Sequence, residues 1–343
     1  MELMEAGGLI EQIKELVLTA RSNVAKHINT TMVGAYWNIG RSIVDFEQGG
    51  NAKAKYGKQL LSNLSKNLTR ELGRGFSRSN LYMMRSFYLN YPIFQTISGK
   101  LSWSHYCELL GISDESARSF YEKECENSNW SVEELRRQRE TSLFERLLLS
   151  KGESAKEEVY KLAKQGNVLA HPNDILKDPF VFEFVNLPEN KPVLERDLEN
   201  ALIAKLENFL LELGRGFMYV GRQQRVTIGN RHYYVDMVFY NKILKCYVLI
   251  DLKTGELVAE NVGQMNLYVN YYAKEVNDEG DNPPIGIILC ADNFEVMAEY
   301  ALGGLESQVF ASKYTLYLPD KELLIRQVEE VIKSMNEAES GEE

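Results

Sequence analysis

Apolar residues recur every three to four positions through the first part of the chain, the spacing of amphipathic helices. Ile10, Ile13, Val17, Ala20, Val24, Ile28 and Met32 form one such seam, and Trp37, Ile39 and Ile43 continue it. Tyr56 to Leu72 predicts a second helix with Leu60, Leu61, Leu64 and Leu68 on its apolar side. Gly73-Arg74-Gly75 stops it, and Ser77 is placed to cap a third helix carrying Leu81, Met84, Tyr88 and Tyr91. Asp114 starts another helix that reaches about Cys125. Ser131 and Glu134 form a capping box for one that extends to Leu149. Residues 1–150 therefore read as an all-helical domain.

The segment 151–178 is polar and marked by Pro and Gly, which predicts an interdomain linker with a short helix around Glu157 to Ala163. Beyond it, in residues 179–343, the pattern changes. Leu198 to Leu211 repeats at helical spacing and ends near Gly214, after which Phe217–Val220 and Gln224–Ile228 read as strand. The turn Gly229-Asn230 leads into two apolar strands, Tyr233–Tyr240 and Tyr247–Lys253. A helix from Glu260 to Ala273 and a strand from Ile285 to Cys290 follow. The whole is an α+β chain of two domains, helical first and mixed second.

The two apolar strands each hold an acid, Asp236 and Asp251. A carboxylate on a mostly buried strand is costly unless something binds it, and a divalent cation would do so. Side chains two apart on a strand share a face, so Asp251 and Lys253 point one way while Ile250 and Leu252 point into the opposite layer. Asn241 to Lys245 is short and polar enough to reverse the chain, so the strands form an antiparallel hairpin on which both acids converge. Two carboxylates that hold magnesium, beside a lysine, are the equipment for metal-assisted phosphodiester hydrolysis. The plainer alternative for the tripeptide alone is a solvated Asp251–Lys253 ion pair, with Asp236 capping a turn.

The order of helix, three strands with acids on the second and third, helix, strand resembles the PD-(D/E)XK nuclease superfamily. The strings Leu211–Phe217, Val220–Gln223, Val235–Tyr240, Asp251-Leu252-Lys253 and Gly263–Tyr268 resemble its YhcG branch, over roughly residues 175 to 335. The resemblance implies a restriction-endonuclease-like domain with a central mixed sheet. Asp236 is then the first metal ligand, Asp251 the second and Lys253 the catalytic lysine, with magnesium as cofactor and manganese as a substitute. Gln264 and Tyr268 match the Q-x-x-x-Y helix, Gln264 helping to shape the catalytic site. This branch commonly has Glu-Leu-Lys where this chain has Asp251-Leu252-Lys253, so the ligand is shorter by one methylene. Glu199 is the expected further metal ligand from the preceding helix, with Glu207 as its competitor. Arg222, Gln223 and Tyr268 are candidate nucleic-acid contacts. Trp37–Arg41, Gly75-Phe76-Ser77, Leu101–Tyr106 and Trp130–Leu135 resemble the N-terminal domain that accompanies this nuclease module.

Charge adds a second candidate surface. The chain of 343 residues has 39 Lys and Arg against 49 Asp and Glu, a formal net charge of -10, which opposes indiscriminate binding to phosphate backbones. Yet residues 51 to 85 contain Lys53, Lys55, Lys58, Lys66, Arg70, Arg74, Arg78 and Arg85 against the single acid Glu71. Helix, glycine turn and helix with arginines at its start is the outline of a helix-turn-helix, which makes Arg74, Arg78 and Arg85 candidate DNA contacts; the alternative is a plain helical hairpin with solvated charges. Nucleic acid, DNA ahead of RNA, is the expected partner, and a homodimer suits cutting of both strands. No apolar run is long enough to span a bilayer and Met1–Glu5 lacks a signal-like pattern, so the expected location is the cytoplasm. Cys107, Cys125, Cys246 and Cys290 form no C-x-x-C pair, so neither a zinc site nor a disulfide framework is expected. The competing function is a nuclease fold that grips nucleic acid or a protein partner without cutting. Glu-Leu-Gly-Arg-Gly-Phe occurs at both 71–76 and 212–217, and in each a helix stopped by glycine before a packing aromatic accounts for it.

Overall fold

The computed structural model describes residues 28–48, 57–94, 97–151, 155–187, 193–291 and 308–330. The expected seam from Ile10 to Val24 lies outside the described residues. The chain divides into two compact units, Met1–Leu135 and Arg136–Glu343.

In the first unit, residues 28–48 form helix α1, followed by α2 (Gly57–Leu72), α3 (Arg78–Asn90), α4 (Trp103–Leu109) and α5 (Glu115–Ser128). Ser77 caps α3 through Asn80 N, and Asp114 caps α5 through Ala117 N, as the sequence predicts. The buried face of α1 is Val33, Trp37, Ile43 and Val44, while Ile28 and Met32 are 57% and 41% exposed. The seam thus rotates out of the core at its N-terminal end. Gly40 explains how closely α1 approaches α3: a Cβ there would lie 2.0 Å from the carbonyl oxygen of Met84. Ile43, Leu81 and Met84 make the core of this contact, with Leu60, Leu61, Leu64 and Leu68 of α2 packed against it.

In the second unit the sheet has six strands: β1 (Phe180–Val181), β2 (Phe217–Ile228), β3 (Arg231–Asn241), β4 (Cys246–Lys253), β5 (Ile285–Cys290) and β6 (Val309–Thr315). Their spatial order is β1-β6-β5-β4-β3-β2, with β2, β3 and β4 antiparallel and the remaining pairs parallel. The alternation of β4 sorts its side chains into two layers. Val248, Ile250 and Leu252 pack with Leu198, Leu202, Phe209 and Leu213 of α9 (Glu195–Ala204) and α10 (Leu206–Leu213). Leu249 packs on the other face with Val262, Met265 and Val269 of α11 (Ala259–Glu275).

Three expectations are corrected. The helix predicted over 198–211 is two helices with a break at Lys205, which leaves Glu207 exposed on α10 and Glu199 buried on α9. The helix predicted from Ser131 to Leu149 is likewise two, α6 (Val132–Glu140) and α7 (Leu143–Leu149), because the Thr141 carbonyl accepts from the Arg146 Nε at 2.7 Å and Ser142 turns left-handed. The segment 151–178 holds helix α8 (Ala155–Gln165), over the short helix expected around Glu157 to Ala163, and Lys151 pairs with Asp174 at 2.6 Å. The compact units divide at Leu135, fifteen residues before the expected end of the helical domain, since Arg137 and Arg146 are tied by ion pairs to Glu183 and Glu212.

Candidate active site

The site forms where β3 and β4 part. Their ladder ends at Met237–Ile250, and one further step in register puts Asp236 opposite Asp251. There the Asp236 carboxylate replaces the ladder: its Oδ2 accepts from the backbone N–H of Leu252 at 2.9 Å. The strand is irregular at this point. Tyr233 and Val235, and then Val238, belong to the α11 core, so the two-residue alternation skips a step at Asp236-Met237. Across the ladder, between the rungs Arg222–Met237 and Gln224–Val235, Gln223 has φ of 47°. A left-handed glutamine within a strand carries strain of order 1 kcal/mol.

That conformation aims the Gln223 amide between two acids. Its Nε2 donates to Glu199 Oε2 at 2.8 Å and to Asp236 Oδ1 at 3.2 Å. Both oxygens of Asp236 are therefore held by N–H donors. Asp251 is treated differently. It is 3% exposed, and its Oδ2 lies 2.7 Å from Lys253 Nζ as an ion-pair contact but makes no aligned hydrogen bond. Burial, followed by the negative charge of Asp236, pushes the Asp251 carboxyl up to about 7 despite the lysine. For Lys253, burial opposes the charged form, but the carboxylates of Asp251, Glu195 and Asp236 outweigh it and raise the ammonium above its usual range. Burial and Asp236 likewise raise Glu199, against the pull of Gln223.

The expected residues thus separate into groups. Asp236, Asp251 and Lys253 come together, and Glu199 joins them through Gln223. Among the described residues no three His, Cys, Asp or Glu side chains converge to hold an ion. Gln264 donates to the Tyr268 hydroxyl, which donates to the Tyr234 carbonyl at 2.9 Å, so this pair braces β3 two residues before Asp236. Arg222 extends over the exposed side, donating to Asn200 Oδ1 at 3.0 Å. It lines, with Glu195, Arg196, Glu199, Gln223 and Asp236, a cleft of about 680 Å³. In the first unit Arg74 and Arg78 are exposed at the α2–α3 turn, whereas Arg85 is paired with Glu47 at 2.7 Å. Two residues escaped the sequence reading, Asn200 and Glu195, the latter 3.8 Å from Lys253. Glu195 stands four residues before Glu199 on one helix, and that spacing was the available signal.

The donor set fits a hard divalent cation. Hard ions take oxygen ligands, and magnesium usually takes one or two carboxylates and completes its shell with water and phosphate. Asp251 offers a buried oxygen without a hydrogen bond, and two aspartates suffice for such a shell.

Comparison with known proteins gives consistent matches. Residues 173–329 match the model of the YhcG PDDEXK nuclease domain, and residues 12–146 match that of the DUF1016 N-terminal domain. The chain is 39% identical over 361 aligned positions to the Escherichia coli (strain K12) protein named Putative nuclease YhcG, covering 96% of this chain and 94% of that one. Two solved structures are also similar, a repair endonuclease from Pyrococcus abyssi and an EndoMS-dsDNA2 complex. Each is 19% identical with a TM-score of 0.25, covering 38% and 39% of this chain respectively and 50% of its own. Among the described residues no helix is long and apolar enough to cross a membrane.

Proposed function

The chain belongs to the YhcG family of PD-(D/E)XK nucleases, and from that premise we propose that it hydrolyses phosphodiester bonds in DNA as a magnesium-dependent endonuclease, using Asp236, Asp251 and Lys253. The supporting observation is the pairing of a buried, incompletely satisfied Asp251 with Asp236 at the point where their strands separate. Asp236 and Asp251 would hold the cation. When bound, it polarises the scissile phosphate and lowers the pKa of its water.

The chain's own groups divide the remaining work. Asp236 is oriented by Leu252 N and Gln223, so its carboxylate needs no rearrangement to serve as ligand. Lys253, with its pKa raised, stays an ammonium near neutral pH. It therefore acts as a fixed positive charge beside the phosphate, where negative charge grows during attack, rather than as the base that takes the water's proton. Glu199 accepts from the same Gln223 amide as Asp236 and would add its negative charge to the groups that hold the cation. Arg222 and Gln223 border the cleft that receives the substrate, and in the first unit Arg74 and Arg78 are exposed cations that would contact phosphate. Arg85 is left out of that surface because its charge is spent on Glu47.

A plasmid-nicking assay tests the reading. Wild type cuts with magnesium or manganese and not with chelator, and Asp251→Asn lowers the rate by about 100-fold or more. An RNA of the same sequence, run in parallel, should be cut more slowly than DNA. Cleavage that persists in chelator, or that survives Asp251→Asn, would refute the assignment.

A further inference from the structure

Past the site, β2 and β3 continue outward as a hairpin whose composition departs from the rest of the chain. Between Glu212 and Asp236 there is no acidic residue, although the chain has 49 in 343, and there are four arginines, Arg215, Arg222, Arg225 and Arg231. Among the described residues Arg222 bonds the neutral Asn200 amide, and neither Arg225 nor Arg231 pairs with a carboxylate. One face of the hairpin is committed to the core: Val226, Tyr233 and Val235 pack with α11. The alternate positions turn away from it. Arg225 lies opposite Tyr234 and Thr227 opposite His232, with Thr227 Oγ1 and His232 Nδ1 3.1 Å apart.

Tyr234 is 49% exposed, yet its backbone is fixed from beneath by the Tyr268 hydroxyl. An exposed aromatic on a braced strand loses little conformational freedom when something stacks on it. It is also next to the chemistry. Positions two apart on a strand are about 7 Å apart, and two residues inward from Arg225 and Tyr234 stand Gln223 and Asp236, between the rungs Gln224–Val235 and Arg222–Met237 and joined by the Gln223 amide at 3.2 Å. A strand whose scissile phosphate meets the aspartates therefore crosses the Tyr234 ring within one or two nucleotides. Cationic side chains that track the backbone, interleaved with an aromatic platform for bases, are the features that bind single-stranded nucleic acid. A duplex keeps its bases stacked inside and leaves the ring without a partner.

We propose that the outer face of the β2–β3 hairpin, with Arg225 and Tyr234 at its centre and Thr227 and His232 beyond, is a track for the unpaired nucleic-acid strand leading to the site. The substrate is then one with unpaired nucleotides beside the cleavage point, such as a flap, gap or single strand. This rests on the nuclease reading only for the direction of the strand toward Asp236.

The test is binding by the full chain in chelator, where no cleavage occurs, read as fluorescence anisotropy of a labelled single-stranded oligonucleotide and of its duplex. Tyr234→Ala should weaken single-strand binding about 5- to 100-fold, the range for one stacked base, and change duplex binding less than about 2-fold. Tyr234→Phe should stay near wild type, since the ring remains. Arg225→Ala should lower the salt dependence of single-strand binding by about one counterion. Unchanged single-strand affinity in Tyr234→Ala, or equal weakening toward single strand and duplex, would overturn the proposal. Thermal melting of each variant confirms that it is folded. If wild type prefers single strands through Tyr234 but never cleaves with magnesium, the catalytic reading fails and the track survives.

Discussion

Glu212 and Asp251 are both buried carboxylates of the second unit, and their surroundings are opposite. Glu212, with no exposed surface, meets Arg146 Nη1 at 2.5 Å, Arg137 Nη1 at 3.3 Å and the Val181 N–H at 3.0 Å. Burial alone would raise its pKa, but the charges of Arg146, Lys177 and Arg137 reverse the direction and hold it at about 2. Asp251 has one ammonium, a neighbouring aspartate and an oxygen without a hydrogen bond, and its pKa rises to about 7. The fold has neutralised one acid with its own cations and left the other short of positive charge. A buried carboxylate marks a functional site when it is incompletely paired; burial alone does not distinguish the two.

The largest effect expected follows from breaking the satisfied partner. Glu212→Ala strands Arg146, which is itself fully buried, and should cost about 3–5 kcal/mol. For a unit of this size that lowers the melting midpoint by roughly 6–20 °C, measured by calorimetry. Replacing both members, Glu212→Leu with Arg146→Met, should recover part of the loss, because the stranded Arg146 guanidinium is removed while the buried Lys177 ammonium beside Glu212 keeps its charge. A small shift for Glu212→Ala would mean that the network is solvated and the comparison misplaced.

Asp251→Asn should do the reverse. It removes a buried charge that Lys253 only partly offsets against burial and Asp236, so the midpoint in chelator should hold or rise at pH 8. The stabilisation that magnesium gives wild type should disappear, since a ligand that binds only the folded state stabilises by mass action. Differential scanning fluorimetry with and without magnesium reads both effects. A fall in metal-free stability would count against the idea of an unneutralised acid.

The two acids also separate along the pH axis. Asp251 has its folded pKa raised from 3.8 to about 7, so the folded state holds the extra proton and its ionisation erodes stability as pH climbs from about 4 to about 7. Glu212 has its folded pKa lowered from 4.5 to about 2, so its contribution is complete above about 4.5 and is lost as pH falls toward 2. Urea midpoints in chelator should therefore decline on both sides of a maximum near pH 4–5. Asp251→Asn flattens the upper limb alone. Magnesium should flatten it too, by replacing the proton on the carboxylate.

The sequence conveyed much of this arrangement because its signals are local. The caps at Ser77 and Asp114, the stop at Gly214 and the hairpin that pairs Asp236 with Asp251 all depend on residues within a few positions of one another. The breaks at Lys205 and Thr141 were hidden. Apolar spacing is the same on both sides of Lys205, and the hydrogen bond from Arg146 that ends α6 depends on a side chain held by Glu212, 66 residues away. By sequence Gln223 is no more than a candidate nucleic-acid contact, because no pattern announces a left-handed glutamine whose amide bridges Glu199 and Asp236. Long-range pairing of polar groups leaves no period in the chain.

The smallest expected effect is a control that the chain itself supplies. Glu71 and Glu212 open identical hexapeptides, and in both copies the glycines have positive φ and end a helix. Local sequence thus accounts for the shared helix stop and for nothing of the difference in environment. Glu71 is exposed and, among the described residues, its ion pair is with the exposed Arg70 at 3.6 Å, so Glu71→Ala should change stability by less than about 0.5 kcal/mol at any pH between 4 and 8. Set beside Glu212→Ala in the same urea series, it isolates what the buried arginines contribute from what the hexapeptide does. A loss for Glu71→Ala comparable to that for Glu212→Ala would move the effect from the ion pairs to the helix ends they share.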